Sequence, residues 1–187
     1  MTIICTSCNQ GLLSPKLTRR PILIVKDTIT GGEKEFDTVF SLTGISPYGK
    51  NENSTSYYLQ KEFGMVGLNM QALSMTCLHL HQHSKRRKTK LERESLQACV
   101  DFGISQFIQF AQPMKLILSM GSEITKLLTG YNVSDTYGLI CKSSLVPAII
   151  IPTPNPDKLM EQPIGELRHA LKVFAEQVKI LEEYLKI

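Results

Sequence analysis

Cys5-Thr6-Ser7-Cys8 brings two thiols within reach of one metal ion. Cys77 and Cys99 would raise the set to four, the number taken by zinc or by an iron–sulfur cluster. In the other reading Cys77, Cys99 and Cys141 are small apolar residues of a core. The pair at Cys5 and Cys8 has no strand before it, unlike a redox C-x-x-C. Cys77-Leu78-His79-Leu80-His81-Gln82-His83 alternates, so in a strand Cys77, His79, His81 and His83 share one face. That face is either a metal site or a solvated surface leading into the basic residues that follow. Those residues, Ser84 to Arg93, hold six cations and one acid, net +5, whereas the whole chain is +4 and the rest therefore −1. One segment thus carries the entire positive excess. It reads either as a footprint for an anionic partner or as a solvated loop.

Elements that could hold these groups follow from hydrophobic periodicity. Pro21 to Val25, Met65 to Leu68, Lys115 to Leu118 and Val146 to Ile151 are short apolar runs of the kind that form buried parallel strands. Between them, Asn53 to Phe63 and Glu92 to Gln112 have helical spacing. Ser122 is a candidate N-cap for a helix over Glu123 to Leu128. Ile164, Leu167, Leu171, Phe174, Val178, Leu181 and Leu185 form one stripe of a long amphipathic helix. The expected fold is α/β, a three-layer α/β/α sandwich around a central four-stranded parallel sheet, in one domain over residues 1–187. In such sheets ligands bind at the carboxyl ends of the strands.

The residues expected there are Asp27, then Phe40, Asn69, Gly121-Ser122 and Thr153-Pro154-Asn155-Pro156-Asp157. In order and spacing, with the early Cys5-x-x-Cys8, they resemble the uracil-DNA glycosylase superfamily, and its iron–sulfur (family 4) branch most, over nearly the whole chain. The resemblance implies a monofunctional DNA glycosylase that flips a uracil or a related base from DNA and cleaves its glycosidic bond. Asp27 would be the carboxylate that stabilises the sugar cation and orients a water, and Asn155 the donor to the departing base. Phe40 would stack on the flipped base and Asn69 read its polar edge. Gly121 and Ser122 would grip phosphate at a helix N-terminus, and Leu159 or Met160 would wedge into the vacated stack. Lys85, Arg86, Arg87 and Lys88 would contact the DNA backbone. Cys5, Cys8, Cys77 and Cys99 would hold a 4Fe–4S cluster, with zinc as the alternative.

The chain departs from the family pattern in three ways. Lys26-Asp27-Thr28-Ile29-Thr30 has no Gly or Pro where the family's first motif is rich in both, Asn155 or Thr153 stands for the final histidine, and Cys77 lies further beyond Asn69 than usual. The first two departures support a second reading, a glycosylase fold without catalysis that serves as a DNA- or protein-binding subunit of a replication or repair complex. No apolar run reaches the length of a membrane span, and the start has no secretory pattern, so an intracellular protein is expected.

Overall fold

Ile22, Leu23, Ile24 and Val25 are fully buried, as an apolar run covered on both faces must be. They open β1 (Ile22–Thr28), an interior strand of the sheet. The computed structural model describes residues 15–28, 45–46, 49–50, 55–79, 90–155 and 164–186. After β1 come a short antiparallel pair, β2 (Ile45–Ser46) and β3 (Gly49–Lys50), and helix α1 (Thr55–Met65). The chain continues through β4 (Ser74–His79), α2 (Lys90–Ala111), β5 (Leu116–Met120), α3 (Ser122–Thr129), β6 (Cys141–Lys142), β7 (Ile149–Thr153) and α4 (Ile164–Leu185).

The main sheet has five strands in the order β4-β1-β5-β7-β6. Its first four are parallel, and β6 runs antiparallel along β7. The α/β class expected from the sequence holds, but the sheet is mixed and has five strands rather than four. The fifth is only two residues long, too short to carry a periodic signal. Strand alternation sorts the core into two clusters. Ile22, Ile24, Met75, Leu118 and Ile151 face α1 and α4 through Leu59, Phe63, Leu171 and Phe174. Leu23, Val25, Ile117 and Ile150 face α2 and α3 through Phe107, Ala111, Ile124 and Leu128. Helices thus cover both faces, giving three layers.

The expected strand over Met65 to Leu68 is not a strand. Met65 ends α1 and is 61% exposed, and the amides of Val66 and Leu68 both donate to the Phe63 carbonyl, at 3.2 and 3.0 Å. Gly67, at φ 77°, supplies the left-handed residue that such a helix ending takes. The true second strand, β4, carries Ser74 and Thr76 inside it. Both are buried, and Ser74 Oγ accepts the Thr18 amide at 2.9 Å. On its outer side Lys16 bridges to Met75, which shields part of this edge.

On the α1–α4 side, the carboxylate of Glu62 takes two bonds from the Arg168 guanidinium, at 2.8 and 3.0 Å. These bonds hold the Glu62 carboxyl below its ordinary range against the upward pull of burial, with help from the Arg168 charge and the Tyr58 hydroxyl. Because the folded value is depressed, the pair's contribution is present above the unfolded carboxyl pKa, about 4.5. It is lost as pH falls through the lower folded value. Unfolding midpoints of wild type and Arg168→Ala, measured from pH 7 down to about 3, should therefore converge at the acid end. A gap that stays constant across that range would show that the charge of Glu62 plays no part.

Candidate functional site at the sheet's switch point

From β1 the chain passes through α1 to β4 on one side, and α2 then carries it across to β5 on the other side. The strand order therefore reverses between β1 and β5, and at such a reversal the helices diverge and open a crevice beyond the carboxyl ends. Lys26 and Met120 are ladder partners at this end, so Asp27 and Gly121 follow side by side.

Asp27 is 6% exposed. Its Oδ1 accepts the Ile124 amide at 2.8 Å and its Oδ2 the Glu123 amide at 3.3 Å. A carboxylate from a neighbouring strand thus caps α3, where the helix dipole favours negative charge. Ser122 does not act as the N-cap. Gly121 holds that position and makes no side-chain cap bond. The Gly121 amide itself donates to the Thr153 carbonyl at 3.1 Å, tying the turn to the end of β7. Gly121 has φ 132°, and a Cβ there would stand 2.3 Å from Asp27 Oδ2. Only glycine lets strand, carboxylate and helix meet so closely. Below them, Ser119 and Thr125 share a buried hydroxyl contact of 3.0 Å.

The turn at Gly121 and Ser122 is therefore not a vacant phosphate cradle. Two amides of the first turn go to Asp27 and that of Gly121 to Thr153. A second anion brought here would meet the carboxylate. What the arrangement offers chemically is a carboxyl group held in place by two amides at the carboxyl ends of β1 and β5.

Asn155 follows the carboxyl end of β7, half-buried, so Asp27, Gly121-Ser122 and Asn155 stand at the ends of three adjacent strands. Asn69 does not join them. It precedes β4 and therefore lies on the amino-end side of the sheet, where its Oδ1 accepts the Gln71 amide at 3.0 Å and caps a short 3-10 turn. Its place as a strand-ending base reader rested on the strand over Met65 to Leu68, and it goes with that strand.

Cys77 and Cys99 are buried in one apolar cluster, Cys77 on β4 and Cys99 on α2. Soft thiolates in an apolar shell suit zinc or iron–sulfur chemistry, but two ligands do not make a site. Among the described residues no group of three or more His, Cys, Asp and Glu side chains could hold a metal ion. Cys5, Cys8, Phe40, Lys85, Arg86, Arg87, Lys88, Leu159 and Met160 lie outside the described residues, as do His81 and His83.

One residue of this region escaped the reading of the sequence. Lys26 looks like the first residue of a polar loop, but β1 runs on to Thr28 and buries Lys26 to 2% exposure. Strand parity puts it on the face opposite Asp27, with Cys77 and Met120 as its ladder partners. No local signal marks it, because Lys26 and Asp27 are both residues that strands disfavour.

Among the described residues no helix is long and apolar enough to cross a membrane. No family model matches the chain, and no curated protein matches it.

Proposed function

We propose that the protein binds DNA at the carboxyl-end edge of its sheet and acts on a base flipped into the crevice between β1 and β5, as a glycosylase of the uracil-DNA kind. One observation carries the reading: the fold's switch point falls between Asp27 and Gly121, two of the residues for which the sequence resembles that superfamily. With both oxygens held by backbone amides, Asp27 serves as a fixed charge facing the sugar cation rather than as a mobile general base. Asn155 is the neutral donor to the leaving base. A cluster or zinc on Cys5, Cys8, Cys77 and Cys99 has a structural role in this reading.

The basic segment supports DNA as the partner. It enters from the carboxyl end of β4 and leaves into α2, which starts at Lys90, so both its ends are tied to the edge that carries the crevice.

A second reading is favoured by the engagement of Asp27: a carboxylate used as a helix cap is consistent with a glycosylase fold that binds DNA and excises nothing. An oligonucleotide with a single uracil, incubated with the protein and then treated with alkali, separates the two. Excision predicts scission at the uracil and a loss of about a hundredfold or more in Asp27→Asn, which keeps the side-chain shape. No scission at any protein concentration, with DNA binding intact, rules out uracil excision and leaves the second reading.

A further inference from the structure

At the opposite end of the sheet, the last turn of α4 runs past the core. Its apolar stripe continues through Leu181, Tyr184 and Leu185, but Tyr184 is 82% exposed. These side chains form one wall of a groove of about 420 Å³ whose other wall is Ile149 and the residues just before it. Ile149, at the start of β7, is itself 37% exposed. Two lysines stand at the groove, Lys115 before β5 and Lys142 on the edge strand β6. Neither makes an ion pair among the described residues.

We propose that this groove docks a short acidic, apolar peptide segment of a partner protein. The apolar walls take leucine- or phenylalanine-like side chains, and the two lysines take carboxylates. The charges select this occupant over a second copy of the chain. A two-fold contact through the same groove would gather four lysines, two from each copy, into one interface. The apolar walls disfavour DNA, whose backbone asks for a run of cations. The site lies at the amino ends of the strands, away from the crevice, so it is independent of the function proposed above.

The test is fluorescence anisotropy of the full chain with a labelled peptide that alternates aspartate with leucine and phenylalanine. A counterpart carrying lysine in place of aspartate is the control. The acidic peptide should bind and the lysine peptide should not. Lys115→Glu combined with Lys142→Glu should weaken binding about tenfold or more. Tyr184→Ser should weaken it as well, at a position too exposed to endanger the fold. Neutralising Lys85, Arg86 and Arg87 should leave it unchanged. The proposal is overturned if the acidic peptide does not bind, if the groove variants bind it as well as wild type, or if binding is lost with the Lys85, Arg86 and Arg87 variant. It is also overturned if wild type sediments as a dimer that Tyr184→Ser dissociates, or if Lys115→Glu with Lys142→Glu abolishes DNA binding.

Discussion

Gly121→Ala should destabilise the protein by about 3 kcal/mol or more, far beyond the usual glycine-to-alanine change. Two causes act together. The backbone sits at φ 132°, a region that residues with a Cβ rarely enter, and the new Cβ would lie 2.3 Å from Asp27 Oδ2 and 2.5 Å from Cγ. The carboxylate cannot swing aside cheaply, because the Glu123 and Ile124 amides hold both its oxygens. Asp27→Ala alone removes the cap and should cost about 1–2 kcal/mol. In the double variant the clash is gone and only the backbone strain and the missing cap remain, so the combined cost should fall short of the sum. Urea unfolding of the four proteins measures this coupling. Strictly additive costs would mean that Gly121 and Asp27 do not touch in solution, and the account of the switch point would fall with them.

The largest effect on binding should come from the basic segment. Replacing Lys85, Arg86 and Arg87 with glutamine should lower the slope of log affinity against log salt by about 2 to 3, close to one unit for each phosphate no longer neutralised. At moderate salt that corresponds to a drop of one to two orders of magnitude in affinity for a DNA oligonucleotide, on the order of 1 kcal/mol per phosphate. Anisotropy over a salt series measures both quantities. An unchanged slope would remove the segment from the interface, whatever becomes of the glycosidic chemistry. The effect should be the same for uracil-containing and normal DNA, because phosphate contacts carry no base information. The Asp27→Asn variant, in contrast, should keep the wild-type slope.

Several elements can be read directly from the chain. The run Ile22 to Val25 reads as a covered strand, and the stripe from Ile164 to Val178 as a helix lying on the core, and both are so. The second strand was not legible. Ser74, Thr76 and Cys77 look half polar, whereas Met65 to Leu68 look apolar. The fold reverses this order, because the Thr18 amide satisfies the buried Ser74, while Met65 to Leu68 wind off the end of α1 through Gly67, with Met65 exposed and Val66 and Leu68 only partly buried against the core. The place of Asn69 is illegible for the same reason: it depends on the element before it.

Apolar spacing along the chain is a local quantity, and it alone determined the α/β class and the helix faces, while the residue order alone gathered the positive excess into Ser84 to Arg93. Spacing put Gly121 just after a strand and Asp27 near the end of one, inside β1 rather than beyond it, but it could not join them. Asp27 and Ile124 are 97 residues apart and meet only because α2 carries the chain over β1 before β5 is laid down. That crossing is a property of the whole path. It turned a loop acid into a helix cap, made one glycine indispensable, and buried Lys26 behind them, none of which residue spacing can encode.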